Sequence, residues 1–302
     1  MQIGFHTSIS GGLNQPFEQA IDFGANTLQV FSKSPRNWSL PQYSQQEFEK
    51  WKEARQQTKI KWGIVHSIYL VNLGKPPQEA IKDQKAVLFD LYFGDQLGFD
   101  FVNTHLGKSA GKRTTKQTME NMKKNIEEIL QKASEHNLKP QFLRENTAGQ
   151  WSEIWWDFDQ LKEFHHGYMQ GLPIGYCLDT AHLRGAWRDI GNWEEILSRL
   201  DEAIGVKNIK AIHLNDSKAP LGSRLDRHAN LWYWFIGWEK LLKVRDWAVK
   251  NDLLVIIETP DSSLRSQELE FLTRATKWDL SWLAQQQKNF QKDVLKKFEN
   301  LV

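Results

Sequence analysis

Short apolar runs, each about the length of a buried β-strand, recur eight times along this chain. They occupy residues 3–5, 27–31, 62–65, 99–103, 140–143, 174–178, 209–212 and 253–257. Stretches with the periodicity of amphipathic helices follow most of them, at residues 17–23, 46–57, 77–97, 115–136, 156–168, 193–204 and 238–250, and residues 266–275 follow the last run. Continuous apolar runs are typical of parallel strands buried on both faces. Eight strand–helix units favour closure, so the sequence predicts an α/β fold, a (β/α)8 barrel; an open doubly wound sheet is the alternative.

The chain continues past the last of these helical stretches. Residues 276–302 place Trp282, Leu283, Phe290, Val294 and Phe298 at helical spacing among lysines and glutamines. We expect this tail to form an extra C-terminal helix packed on the outside of the barrel. No linker interrupts the sequence, so residues 1–302 are predicted to form one domain, with the barrel over about residues 1–275.

Composition narrows the class of protein. The single cysteine, Cys177, cannot build an internal disulfide framework and fits a reducing compartment. No apolar run approaches the roughly 18 residues of a membrane span, and the N-terminus lacks the pattern of a secretory signal. We therefore expect a cytoplasmic protein, or a nuclear one in a eukaryote, with no membrane partner. The net charge of +2 permits nucleic-acid binding but does not argue for it.

Ligand-type side chains stand at the ends of six consecutive predicted strands and in the loops that follow. They are His66, His105, Glu145, Asp179, His182, His213, Asp226, His228 and Glu258. Sites in such barrels form at the C-terminal ends of the strands, so these side chains should converge. Carboxylates packed so closely would repel one another unless cations neutralise them. The set exceeds what one tetrahedral ion needs and predicts two or three, and histidine with carboxylate suits zinc.

Motifs along most of the chain match one family. They are FHTSISGGL (5–13), VHSIYLVNLG (65–74), THLG (104–107), ENTAGQ (145–150), CLDTAH (177–182), HLNDSK (213–218), GSRLDRH (222–228) and IETP (257–260). In this order they resemble the endonuclease IV family, metal-dependent abasic-site endonucleases with a TIM-barrel fold. The combination is specific, although no single motif is.

The resemblance implies a DNA-repair activity on double-stranded DNA that contains abasic sites. The phosphodiester 5′ to the lesion would be hydrolysed, leaving a 3′-hydroxyl and a 5′-deoxyribose phosphate, and blocked 3′ ends would also be trimmed. Three zinc ions are implied, with manganese possible at one position. Their expected ligands are His66, His105 and Glu145; Glu145, Asp179, His213 and Glu258; and His182, Asp226 and His228. Glu145 would bridge two ions and act as the catalytic residue that orients or deprotonates the attacking water. We expect a monomer.

The resemblance also implies residues that enter the DNA helix. These are Arg36 after the second strand, and Tyr69 and Leu70 after the third. The structural alternative is a surface arginine in a proline turn, with Tyr69 and Leu70 in the core. Further cations on the same loops are expected to contact phosphates: Lys33, Lys108, Lys112, Arg113, Lys218 and Arg224.

Bulky aromatic residues depart from the family pattern next to the predicted ligands. Trp151, Trp187, Trp232 and Trp234 stand where smaller residues are usual, and they would stack on DNA, narrow the pocket or pack on one another. Three alternatives to abasic-site cleavage therefore stay open. One is a related phosphodiesterase with altered substrate range, and another is a metal-dependent sugar isomerase or epimerase on the same barrel. The third is a catalytically altered homologue that binds damaged DNA.

Overall fold

Eight parallel strands close into a barrel in this structure, a computed structural model that describes residues 1–111, 113–150, 152–154, 157–231 and 234–274. The barrel strands, numbered here in chain order, are β1 Gln2–Thr7, β2 Thr27–Phe31, β3 Trp62–His66, β4 Phe101–Thr104, β5 Gln141–Glu145, β6 Ile174–Asp179, β7 Ile209–His213 and β8 Leu254–Ile257. Strand β1 pairs with both β2 and β8, which completes the ring. The predicted barrel is confirmed, and the open sheet is excluded.

Two apolar clusters hold the barrel together. The smaller one contains alternate residues of the strands: Ile64, Leu143, Cys177, Ala211, Leu254 and Ile256. We assign it to the barrel interior, and the larger cluster fills the layer between strands and helices. Close strand contact also dictates Gly4 in β1, because a Cβ atom there would lie 1.8 Å from the carbonyl oxygen of Thr27.

Helices surround the strands. They are α1 Gln15–Phe23, α2 Gln45–Gln56, α3 Ile81–Leu97, α4 Thr115–Glu135, α5 Phe158–Phe164, α6 Thr180–Gly185, α7 Trp193–Ile204, α8 Trp238–Lys250 and α9 Arg265–Arg274. A π-helical turn, His165–Met169, extends α5 to about the predicted length. The short α6 was not predicted, since its six residues are too few to show a helical period. The predicted C-terminal helix lies outside the described residues. Among the helices that are described, none has the length and hydropathy needed to span a membrane.

The connection from β7 to α8 carries an additional feature. Asp216–Ser217 pairs with His228–Ala229 as a short antiparallel ladder. The intervening loop therefore returns to its start, which brings His228 beside Ser217. Asp216 stabilises it by accepting backbone hydrogen bonds from Ser217, Ile236 and Gly237, so this carboxylate supports the loop.

Candidate metal centre

Most of the predicted ligands continue the rows of side chains that face the barrel interior. Each of these stands two residues beyond an apolar residue of the smaller cluster. Side chains two residues apart on a strand point to the same face. The pairs two residues apart are Ile64 and His66, Leu143 and Glu145, Cys177 and Asp179, Ala211 and His213, and Ile256 and Glu258. The apolar interior therefore ends, at the carboxyl edge of the sheet, in a layer of histidines and carboxylates.

Three groups of these side chains have the spacing of metal ligands. Within each group, all ligand atoms lie within 4.8 Å of one another. The first group is His66, His105 and Glu145, and the second is Glu145, Asp179, His213 and Glu258. The third is Asp179, His182 and His228. The first two match the expected sets. The third contains Asp179 where Asp226 was expected. The Asp226 carboxylate nevertheless lies 3.2 Å from Nε2 of His182 and 3.1 Å from Nε2 of His228, so both carboxylates reach this position.

Glu145 lies at the centre of the cluster. Its fully buried carboxylate is 3.0 Å from His213 Nδ1, 3.2 Å from His66 Nε2, 3.3 Å from His182 Nδ1 and 3.4 Å from His105 Nε2. Burial opposes ionisation, yet His105 and His213 hold the pKa of Glu145 well below its ordinary value. A buried carboxylate with four imidazole nitrogens within 3.4 Å is a donor set for divalent cations, which would take the place of protons on the histidines.

Two histidines use one ring nitrogen to hold a backbone oxygen. Nδ1 of His66 donates to the carbonyl of Ser67 at 2.7 Å, and Nδ1 of His182 donates to the carbonyl of Asn146 at 2.9 Å. A neutral imidazole that donates through one nitrogen has a lone pair on the other. In both rings that nitrogen is Nε2, which faces a carboxylate oxygen. Two lone pairs this close repel unless a cation or a proton lies between them, and this arrangement is usual for histidines that bind a metal.

Side-chain amides orient the remaining groups. The oxygen of Gln29 accepts from Nε2 of His213 at 2.8 Å, which leaves Nδ1 facing Glu145, and its nitrogen donates to Glu258 at 2.6 Å. Asn103 donates to Glu145 at 2.6 Å. Sequence reasoning missed both amides. Their signal was a polar residue at the centre of an apolar run, in TLQVF and FVNTH.

Asp179 has a second role at the end of β6. It is the N-cap of α6, and its Oδ1 accepts from the backbone N–H of His182 at 2.7 Å. Its Oδ2 accepts from Asn215 at 2.6 Å. The cap explains why a helix begins directly after the strand, and it fixes His182 one turn above Asp179.

The ladder places His228 at the third group. Burial opposes protonation there, but Asp179 and Asp226 raise the pKa of His228 to about 9. Its Nε2 lies 3.1 Å from a carboxylate oxygen of Asp226 and 3.5 Å from one of Asp179. In the neutral imidazole this nitrogen, close to two carboxylates, is suited to bind a cation placed between them.

These side chains line a pocket of about 250 Å³ that opens at the carboxyl end of the barrel. Its wall consists of His6, Phe31, His66, Tyr69, His105, Glu145, His182, Asp226, His228, Glu258, Thr259 and Arg265. His6 contacts Gln29 at 2.9 Å and therefore supports the amide that orients His213. The pocket is lined mainly by polar and charged groups, as expected for a site that binds ions and a charged substrate.

The predicted DNA-contacting residues lie on loops at the same end. Tyr69 is 59% exposed and forms part of the pocket wall, and Leu70 is also exposed, so the core-packing alternative is wrong for both. The backbone N–H of Tyr69 donates to the carbonyl of Pro35, which joins the loop of exposed Arg36 to that of Tyr69. Lys218 and Arg224 are exposed on the β7–α8 loop.

The four other predicted phosphate contacts differ in outcome. Lys33 is buried in an ion pair with Asp90 of α3, so the prediction that it reaches a phosphate is wrong. Arg113 pairs with Glu79 at 3.0 Å, and Lys108 is exposed. Lys112 lies outside the described residues.

Two of the four unusual tryptophans are described. Trp187 follows α6 and is 59% exposed, and Trp234 is 46% exposed. Among the described residues, neither indole lines the pocket. The expectation that these two narrow the pocket is therefore wrong. Trp151 and Trp232 lie outside the described residues.

Comparisons with known proteins agree with this geometry. Residues 17–286 match the model of the family described as "Xylose isomerase-like TIM barrel". A protein of Aquifex aeolicus named probable endonuclease 4 is 34% identical over 85% of this chain and 91% of its own. Its counterpart in Phocaeicola vulgatus is 30% identical over 90% of this chain and 98% of its own. The crystal structure of endonuclease IV from Thermus thermophilus superposes with a TM-score of 0.80 at 31% identity, covering 94% of this chain and all of that one.

Proposed function

Because the chain belongs to the endonuclease IV family, we propose that it is a DNA-repair endonuclease that acts on abasic sites in double-stranded DNA. It hydrolyses the phosphodiester 5′ to the lesion and leaves a 3′-hydroxyl and a 5′-deoxyribose phosphate. It also removes blocking groups from 3′ ends. We propose a cytoplasmic monomer whose chain forms one domain.

The observation that carries the proposal is the orientation of the ring nitrogens. His66, His182 and His213 each hold one nitrogen in a hydrogen bond and turn the other toward a carboxylate. This donor set fits zinc, which accepts imidazole nitrogens and carboxylate oxygens. The proposed ligands are His66, His105 and Glu145 for one ion; Glu145, Asp179, His213 and Glu258 for a second; and His182, Asp226 and His228, with Asp179 in reach, for a third. Manganese is possible at one position. When bound, the ions supply Lewis-acid stabilisation of the phosphodiester and of the leaving oxygen.

The chain's own residues position the reaction. Glu145 belongs to two of the groups that would hold ions, so its carboxylate would orient the attacking water or help to deprotonate it. Arg36, Tyr69 and Leu70 would fill the gap left by an extruded abasic nucleotide, which their exposure on two adjoining loops supports. Lys218 and Arg224 contribute positive charge for the phosphates beside it.

Cleavage of a defined lesion tests the proposal. The zinc-loaded protein is incubated with a duplex that carries one tetrahydrofuran residue, and the product ends are identified by mass. Glu145→Gln should lower the cleavage rate at least about 100-fold while lesion binding persists. Glu128→Gln on the outer helix α4 is the matched control and should cleave normally. Full activity of Glu145→Gln would refute its central role.

Metal analysis separates the proposal from its rivals. A sugar isomerase or epimerase on the same barrel needs one or two ions, so a content near one ion per chain would contradict the nuclease. Tight binding of the lesion without cleavage at any metal loading would instead support a catalytically altered DNA-binding homologue. Cleavage of other blocked phosphodiesters in preference to tetrahydrofuran would indicate an altered substrate range.

A further inference from the structure

Exposed aromatic and apolar side chains form a patch on the two loops beside the third ligand group. We call the following residues the aromatic patch: Trp187, Leu221, Leu225, Trp234 and Phe235. Trp187 follows α6, and the other four belong to the β7–α8 loop, which also carries Asp226 and His228. Isolated apolar side chains on a surface need no explanation, but a group of large ones on adjoining loops marks an interaction site.

The two loops form one rigid surface. The backbone N–H of Gly222 donates to the carbonyl of Arg184 at 3.0 Å, and that of Arg224 donates to Gly185 at 3.0 Å. The Nε of Arg184 donates in turn to the carbonyl of Ala219 at 3.1 Å. The patch is therefore fixed relative to the neighbouring metal ligands.

The backbone presents Trp187 in an unusual way. Its φ of 68° is in the left-handed region, which a bulky residue rarely adopts. Its indole lies against Gly222, where a Cβ atom would come within 2.0 Å of the ring. A glycine is thus required opposite the indole. One ring face rests on the loop backbone while the side chain stays 59% exposed.

Cations alternate with the aromatic groups. Lys218 lies 5.3 Å above the ring of Trp234, and the guanidinium of Arg184 lies 5.1 Å from the ring of Phe235. Arg224 and Arg227 are exposed on the same loop. Aromatic faces interleaved with positive charge are the pattern by which proteins bind unpaired nucleic acid, since every base has a face that can stack.

We propose that the aromatic patch is a binding site for an unpaired nucleobase of the substrate DNA, with Trp187 as the residue that stacks on it. Bases inside a duplex are already stacked on their neighbours, so the site selects DNA that is single-stranded, mismatched or frayed beside the lesion. The inference rests on the proposed function and deepens it, because it makes Trp187 a specificity-determining residue.

The test measures binding and cleavage separately. Binding of the zinc-loaded protein is measured by fluorescence anisotropy with an undamaged 12-nucleotide oligothymidylate and with an undamaged duplex of the same length. Cleavage is measured with tetrahydrofuran placed either in a full duplex or in a three-nucleotide bubble. Trp187→Ala should weaken binding of the oligothymidylate about 5-fold or more and leave duplex binding almost unchanged. It should also remove a preference for the bubble substrate.

Three variants exclude a merely structural role. Trp187→Phe keeps a stacking face and should restore binding. Gly222→Ala displaces the indole and also strains the loop at a φ of 71°, and it should lower oligothymidylate binding as Trp187→Ala does while duplex binding stays almost unchanged. Trp62→Ala removes another exposed tryptophan, at the start of β3 and therefore at the opposite end of the barrel, and should have no effect.

The outcomes distinguish this inference from the proposed function. Equal loss for paired and unpaired DNA, or no loss, would overturn the role of Trp187. A dimer that Trp187→Ala converts to a monomer would assign the patch to self-association and also overturn it. If tetrahydrofuran is not cleaved but oligothymidylate binding depends on Trp187, the proposed function fails and the binding site stands.

Discussion

Glu268 on α9 is a buried carboxylate whose ionisation should lower stability. It is fully buried and accepts hydrogen bonds from the Leu231 backbone at 2.8 Å, from the Asn230 amide at 3.0 Å and from the Thr259 hydroxyl at 2.6 Å. Burial raises its pKa from 4.5 to about 7, against the lowering effect of these hydrogen bonds. We predict that Glu268→Gln, which is neutral at every pH, stabilises the protein above neutrality.

The magnitude follows from the shift. Each pKa unit corresponds to about 1.4 kcal/mol, so a rise from 4.5 to about 7 costs the folded state about 3 kcal/mol once the group is ionised. The carboxyl group has a higher pKa in the folded protein than in the unfolded chain, so its ionisation lowers the free energy of unfolding. Below pH 4.5 both states are protonated and the cost is absent. The cost grows as the pH rises through this window and is constant above about pH 7.

Urea unfolding of both proteins at pH 5 and pH 8, with the same zinc concentration, measures the effect. The free energy of unfolding of the variant should exceed that of the original by about 3 kcal/mol at pH 8 and by less than about 1 kcal/mol at pH 5. Glu268→Ala is the contrasting control, since it removes the acceptor and should destabilise at both pH values. A difference between Glu268→Gln and the original that does not change with pH would refute the reasoning.

Two further changes test the barrel and the proposed DNA contact of Lys218. Gly4→Ala places a methyl group against the carbonyl of Thr27 and should lower the free energy of unfolding by about 3 kcal/mol. Gly167→Ala, with open space around it, should change that free energy little, and equal effects of the two changes would contradict the close strand contact. Lys218→Ala should reduce the slope of log binding constant against log salt concentration by about 1 for lesion DNA. Lys250→Ala on the outer helix α8 should leave that slope unchanged, and an unchanged slope for Lys218→Ala would remove Lys218 from the interface.

The barrel and the position of its ligands were predictable because they follow from local pattern. A strand buried on both faces shows an uninterrupted apolar run, and the first His, Glu or Asp after that run marks the carboxyl edge of the sheet. His66, Glu145, Asp179 and His213 are each the last residue of their strand. Their convergence then follows from closure of the barrel alone.

Other features depend on contacts between distant segments and were not predictable from single runs. Lys33 follows β2 at the carboxyl end of the barrel, but it forms a buried ion pair with Asp90, far along the chain in α3. Gln29 and Asn103 orient ligands that belong to other strands. The sequence shows only that a polar residue interrupts an apolar run, and the partner becomes evident once the register of the strands is known.

The proposed ligands are spread over most of the chain, from His66 to Glu258, and the second set alone takes its members from the ends of four strands, β5 to β8. Glu258 follows β8, the strand whose pairing with β1 completes the ring. A nascent chain thus lacks its full complement of donors until nearly the whole barrel has been synthesised and has closed. On the proposed ligand sets, full loading with ions therefore follows closure of the barrel and is a late event in maturation.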